Sequence, residues 1–496
     1  MQINVVGGFN QQRSSSFDYQ QSINWYPMTD EVVKKSYMVP TSGTQSTYTF
    51  IDAGLSAVGR ASFTIRNLEY HVVGNTVFTR NTSGIVENIG TIGTSTGYVG
   101  ISSNGLQVLF VDGSQGYIYT IDTGTFVEID RTPPVDPNDP SAVGFPLNPI
   151  DCCFIKGFFF VIEGETNRFF QSAPDDCQIW DPSNFAMANS NGDILVCCRS
   201  LDNRLWLFST ESISIWEDGG KAGFAFRQDQ TVFYDYGAYS AKSTVVDQGV
   251  MIFQARTTAG VGSTFLTTGG RPQEVSSSAV NFFFSNKDAQ GGLSDLEAFI
   301  FKENGQIFWQ CSSTISNFTI VYNSTNSSWF TRQMLDGSRH IATSYVFFNG
   351  EAHILSYNDN LLYIMSQYVL TDEGLPIYRA RRPSNVYFQN YARIRMDLLQ
   401  ANFESGVGIN GNPNFNSPAY VQGSDPQAFL SISRDGGTVF GNSRPAPMGR
   451  IGEFDRRTIW RKLGISGKKG QVAFFIEIFD SVRTYLIDAS LSYEVQ

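Results

Sequence analysis

From about residue 58 onward, short apolar runs alternate with turn residues. Runs at 63–66, 69–73, 77–79 and 85–89 are separated by Asn67, Gly74-Asn75 and Ser83-Gly84. The texture returns at 98–102, 107–111, 116–121 and 125–129, broken by Asn104-Gly105, Asp112-Gly113 and Thr123-Gly124. Breakers of this kind at this spacing favour tight hairpins, so each group reads as four antiparallel strands. A four-strand unit of roughly 30–45 residues is the sequence mark of a propeller blade. Strand-like runs continue through 152–163, 168–172, 194–217, 245–275, 298–333 and 341–365, with Asp176–Phe185 read as a polar aromatic turn. Residues 58–390 make 333 positions, or six or seven blades at about 45 residues each. No helical periodicity longer than about three turns stands out.

The C-terminal stretch has a different pattern. In 483–493 one face carries Tyr485, Ile487, Ala489, Leu491 and Tyr493, and the other carries Thr484, Asp488, Ser490 and Ser492. That period of two predicts a strand with one dry face. In 472–479 both faces are apolar, Val472, Phe474, Ile476 and Ile478 against Ala473, Phe475 and Phe479. Such a strand must be covered on both sides, by its own chain or by another subunit. The run RTIWRKL places Arg457, Arg461 and Lys462 among Ile459, Trp460 and Leu463, a mixture that suits an interface better than a plain core.

Four segments lack periodicity. Residues 1–50 are polar with isolated anchors such as Trp25, Tyr26 and Tyr37, cannot form a core alone, and are expected to lie across the C-terminal domain. Residues 131–149 hold six prolines, which forbid ladder pairing and predict a stiff connector. Residues 400–427 form a long Gly/Asn/Pro loop, and YRARRP at 378–383 reads as an exit linker.

Composition supports an all-β reading, with 40 Phe, 22 Tyr, 46 Gly and only 16% charged residues in 496. The net charge of −11 argues against a protein that grips nucleic acid. It is compatible with an acidic wall past which a duplex slides. Against that background, residues 450–469 hold seven cations and two acids, a net +5 that leaves −16 on the rest of the chain. Such a segment suits docking against an acidic surface. The N-terminus has neither the basic nor the apolar region of a signal peptide, and no apolar run is long enough to span a bilayer.

Candidate chemistry is sparse. Cys152, Cys153, Cys177, Cys197, Cys198 and Cys311 lack metal-ligand spacing and read as buried, reduced thiols. His71, His340 and His353 are scattered through strand runs and read as packed or surface residues rather than bases. Gly464-Ile465-Ser466-Gly467-Lys468-Lys469 lacks the spacing of a phosphate loop. Ser433-Arg434-Asp435-Gly436-Gly437 with Phe440 resembles the Asp-box hairpin of sialidases, in which the Asp holds its own turn. One copy without an arginine triad or a Tyr nucleophile does not make a glycosidase. No catalytic residue, cofactor or metal site is expected.

The C-terminal order S-x-D-G-G, a Gly/Pro loop, F-D-R-R-x-x-W-R-K-L-G, an aromatic strand and a closing S-Y-E resembles the tail hub, or nozzle, proteins of short-tailed bacteriophages, also called packaged-DNA stabilisation proteins. Ile23-Asn24-Trp25-Tyr26-Pro27 resembles the family's I-N-x-Y-P segment, and Tyr322-Asn323 with Ser327-Ser328-Trp329 its blade-ending pattern. The resemblance implies a structural virion protein of the tail, assembled in the host cytoplasm, and not an enzyme. It implies a homo-hexameric ring below the portal and its adaptor ring. That ring passes double-stranded DNA without binding it specifically, retains the packaged genome, and supports a tail needle or plug and fibres or spikes. The expected organisation is an N-terminal arm at 1–57 packing on the platform, a β-propeller at 58–390 and a β-sandwich-like platform at 391–496. The expected assembly contacts are Arg456, Arg457, Trp460, Arg461 and Lys462. The alternatives are a carbohydrate-binding propeller, as in a receptor-binding tail protein, and a glycosidase.

Overall fold

The computed structural model describes residues 1–14, 18–30, 32–131, 144–188, 192–221, 223–388, 392–406 and 425–495. The proline-rich connector and the Gly/Asn/Pro loop expected from the sequence lie largely outside the described residues. Among those described, seven small antiparallel sheets stand in a ring, formed by residues 59–91, 100–128, 149–187, 195–234, 237–274, 297–332 and 342–366. We number them blades one to seven. Their first strands touch in sequence order, and Ala342–Phe348 of blade seven returns to Gly59–Ile65 of blade one. The chain therefore closes a seven-bladed propeller, within the six or seven expected.

The turn chemistry explains the regularity. In blades three to seven except blade five, the first hairpin turns on Lys156-Gly157, Asp202-Asn203, Asn304-Gly305 and Asn349-Gly350, with both residues of each pair at positive φ. Blade five uses Gln248-Gly249 in the same way. Two successive positive φ angles give the turn whose twist matches that of paired strands, and Asn, Asp and Gly adopt it most readily.

Each seam between blades has its own apolar core. The adjacent cysteines show how. Successive side chains on a strand point to opposite faces, so Cys152 enters the core shared with blade two while Cys153 enters the core shared with blade four. Cys197 and Cys198 divide in the same way between blades five and three. All six cysteines are buried and free. The seam of blades three and four is densely aromatic. Phe160 lies 4.8 Å from Phe226, and Phe169 lies 4.9 Å from Trp216, edge to face.

The seam that closes the ring, blade seven on blade one, is built otherwise. Its apolar core is the smallest among the described residues, with Phe50, Val73, Phe78, Leu355 and Leu362. Beside it lies a fully buried carboxylate, Glu69. Arg80 Nη1 donates to Glu69 at 3.0 Å, and His353 Nδ1 stands 2.5 Å from it, joining blade seven to blade one. His71 Nε2 is 3.6 Å from Glu69, outside hydrogen-bond reach, and has no other partner.

The first 57 residues divide between the two halves of the molecule. Trp25–Thr29 and Ser36–Pro40 join Leu486–Val495, Ile394–Phe403 and Thr458–Ile465 in one sheet, to which Gln2–Ile3 adds an edge. Gly43–Thr49, by contrast, is the fourth strand of blade seven, antiparallel to Leu361–Ser366. Gly43 starts that strand where a Cβ would meet the Thr371 and Val369 carbonyl oxygens at 2.4 and 2.5 Å. Tyr19–Ile23 links the outer strand of blade six to Arg379–Arg382, the supposed exit linker, which is a fully buried strand. Beyond it the sheet continues through Gln471–Ile478, Gln427–Ser433 and Arg444–Pro447. The two sheets enclose a common core containing Trp25, Leu399, Leu430, Trp460, Phe474 and Leu491, which makes the C-terminal half a β-sandwich.

Three readings are corrected. Asp176–Phe185 is no turn, because Asp176–Met187 is the twelve-residue outer strand of blade three. A helix, Ser278–Gly291, stands between blades five and six. It is capped by Ser277 and buries Val280 and Phe284, but Ala279, Val280 and Phe282 to Phe284 crowd its first half instead of lining a stripe, so no helical period marks it. The final strand buries Leu486 rather than Ile487, because the register shifts opposite Asn402 and Phe403. The doubly apolar strand is covered within one chain. Val472, Phe474, Ile476 and Ile478 enter the sandwich core. On its other face Phe475 meets Phe440, and Phe479 meets Tyr378 and Phe429 while staying 41% exposed.

Candidate assembly surface

The sandwich edge formed by Arg444–Pro447 and Thr458–Ile465 carries the cations singled out from the sequence. Arg456, Arg457, Arg461 and Lys462 are all exposed. Among the described residues none of them pairs with a carboxylate. Lys462 sits at positive φ, opposite a register shift between Met396 and Leu398, so Arg461 and Lys462 both face water instead of alternating. The carbonyls freed there are taken by two further cations. Arg444 Nη1 donates to Lys462 O at 3.0 Å and Arg434 Nη2 to Leu463 O at 2.7 Å.

Trp460 is placed differently. It is 3% exposed, belongs to the sandwich core, and donates its indole N–H to Arg444 O at 2.8 Å. Its ring supports the cationic edge from behind and is not presented to a partner. The exposed apolar groups lie earlier, in the loop 448–457, at Ile451 and Phe454, 64% and 74% exposed. The sequence signal was present, a Phe and an Ile between glycines and arginines, but without the fold nothing distinguished them from core residues.

The Asp-box hairpin beneath this edge is structural. Asp435 Oδ1 accepts from the N–H groups of Thr438 and Val439 at 2.9 and 3.1 Å, and Ser433 Oγ accepts from Gly437 N at 2.9 Å. The Ser433 hydroxyl first, and the backbone donors with it, hold the Asp435 carboxyl below the usual range. Gly437 is fixed by packing, since a Cβ there would collide with the Arg382 guanidinium. That guanidinium lies 4.3 Å from the Tyr19 ring centroid. Next to it, buried Arg381 donates to Val5 O, Gly8 O and Gln21 O at 2.7, 2.9 and 3.1 Å, tying the N-terminal segment to the sandwich.

A concavity of about 450 Å³ lies where the inner strands of the seven blades converge. Of its charged groups, Arg199 pairs with Asp151 and Lys242 with Glu297, which Arg339 also holds, while Arg60 donates to the carbonyls of Gly74, Thr94, Thr96 and Gly97. Burial pushes Glu297 up, but Lys242 and Arg339 outweigh it and hold the carboxyl below its ordinary value. Ser62 Oγ is 3.0 Å from His71 Nδ1 and 2.9 Å from Ser344 Oγ. A nucleophile needs a base that can be reached and oriented. Here the imidazole is sealed, its far nitrogen is 3.6 Å from Glu69, and burial depresses its basicity.

Two family models match in tandem, one described as bacteriophage P22 Gp10, beta-propeller, over residues 1–369, and one as bacteriophage P22 Gp10, beta-sandwich, over residues 385–494. No curated protein matches the chain. Among solved structures it is similar to a streptogramin B lyase at 11% identity and a TM-score of 0.40, covering 66% of this chain and 98% of that one. It is likewise similar to the computationally designed Ika8 protein, at 10% identity and 0.39, over 65% and 98%. The N-terminal domain of Nup159 gives 10% and 0.39, over 70% and 99%.

Proposed function

The chain belongs to the bacteriophage P22 Gp10 family, and on that premise we propose that it is the hub, or nozzle, of a short-tailed phage tail. Six copies form a ring below the portal and its adaptor. The ring continues the DNA channel, helps retain the packaged genome, and supports a tail needle or plug and the fibres or spikes. In this reading the propeller body is residues 59–366 with Gly43–Thr49 as its closing strand, the platform runs from Arg379 onward, and the strands before residue 41 tie the two. Arg456, Arg457, Arg461 and Lys462 make the subunit or adaptor contacts, with Trp460 as the scaffold behind them.

The observation that carries the reading is the order of the two matched halves along one chain, propeller then sandwich. The charge distribution supports it. A chain at −11 with a +5 segment repels DNA over most of its surface and attracts an acidic protein face at one edge. Electron microscopy of the purified protein, alone and with adaptor, tests it directly. Six-fold rings with an axial pore are expected, and particles that stay monomeric or trimeric in both samples overturn it.

A further inference from the structure

The loop 448–457 holds two apolar side chains out into water by means of a built turn. Gly452 N donates to Gly406 O at 3.0 Å and Ser405 Oγ to Phe454 O at 2.9 Å. Glu453 N donates to Arg450 O at 2.9 Å, and Arg450 N donates back to Glu453 Oε2 at 3.1 Å. Ile451 and Phe454 are therefore presented by a hydrogen-bonded scaffold rather than left at a frayed tip. Arg456 and Arg457 flank them without carboxylate partners among the described residues. An aromatic anchor beside unpaired arginines is the composition of an interface hot spot.

The complementary surface is on the same chain. Blade three ends in Asp176–Met187, whose outer edge is unpaired in its sheet. Exposed on it are Ile179 at 60%, Phe185 at 39% and Met187 at 60%, with Asp175 and Asp181 also exposed and unpaired with any cation among the described residues. A long edge strand with apolar side chains is a surface that calls for a partner. One patch is apolar with a cationic rim and the other apolar with an acidic rim. The sandwich is continuous with blade six, and blade three lies across the ring from it. Two different patches on opposite sides of one molecule generate a head-to-tail ring when the rotation closes.

We propose that the Ile451–Phe454 loop of one copy docks on the outer edge of blade three of the next copy, with Arg456 and Arg457 facing Asp175 and Asp181. The inference rests on the ring reading and assigns its subunit contact. It is tested by sedimentation and electron microscopy of the full-length protein, with circular dichroism to check folding. Phe454→Asp and Arg456→Glu, both at exposed sites, are expected to weaken self-association by about 30-fold while the monomer stays folded. Asp181→Arg is expected to do the same from the other side, and Asp181→Arg combined with Arg456→Glu to restore rings. Wild-type rings together with normal rings from all single variants overturn the docking and leave the ring reading standing. Loss with the loop variants but not with Asp181→Arg, and no rescue, overturns blade three as the receiving edge. A wild type that stays monomeric both alone and with the adaptor overturns both.

Discussion

The seam between blades three and four and the seam that closes the ring join the same kind of element by different means. The first is apolar and aromatic, with Phe160 and Phe169 against Trp216, Phe226 and Leu207. The second has five buried apolar residues and a charged knot of Glu69, Arg80 and His353. The first is made by neighbours in sequence, each blade folding onto the last. The second must bring residue 50 to residue 362 and residue 69 to residue 353. Apolar burial stabilises either arrangement without regard to partner. A buried carboxylate is costly unless its particular partners arrive. The closing seam therefore favours one correct closure over misaligned ones and gives up some stability to do so.

That contrast can be broken from either side. Phe160→Ala removes a fully buried ring from the aromatic seam and should cost about 4 kcal/mol, read as a lower urea midpoint for the propeller. Survival of the midpoint would mean that the aromatic seam is not what holds these blades. Glu69→Gln leaves Arg80 and His353 facing a neutral amide and should cost about 3 kcal/mol. Its loss should appear in hydrogen exchange as faster labelling of Gly43–Thr49 and Ala342–Phe348, with Leu195–Leu201 unaffected. Uniform loss across all blades would erase the distinction between seams.

Acid sharpens it further. Burial pushes Glu69 up, but its hydrogen bond to His353 and the proximity of His71 outweigh burial and hold it well below the usual carboxylate range. Burial holds His71 below its ordinary value. A carboxylate depressed on folding contributes stability that is present at neutral pH and lost as pH falls. A sealed neutral imidazole also loses ground in acid, since below about pH 6.5 the unfolded chain takes up a proton that the folded chain refuses. Both signs agree, so the closing seam should weaken as pH falls below about 6.5, through the imidazole, and further below about 4.5, through the carboxylate, with opening first at Gly43–Thr49. A pH-independent exchange pattern there would contradict the assignment. The smallest effect expected is Cys153→Ala, about 1 kcal/mol, because a small buried thiol in the aromatic seam adds only packing and one weak thiol contact with Cys198.

Much of this architecture was legible before folding. Turn pairs such as Asn104-Gly105 and Asp112-Gly113 mark hairpins by local backbone preference alone, so the four-strand units followed from them. The Asp435 turn was readable for the same reason. Gly43–Thr49 was not, because a strand whose residues are mostly exposed carries no apolar period. Arg379–Arg382 looked like a linker since four buried positions with three arginines contradict every burial preference, and only carbonyls from distant residues satisfy the Arg381 guanidinium. Trp460 was grouped with its charged neighbours, whereas the structure separates them by face.

The sequence by itself determined most propeller strands, the tight turns, the β class and the charge contrast between the chain and its 450–469 segment. These depend on near neighbours and on composition. Only the tertiary structure decided where the ring closes, which strand of the N-terminal segment closes it, and which apolar side chains remain outside. Those outcomes depend on contacts between residues hundreds of positions apart, whose partners no local period encodes.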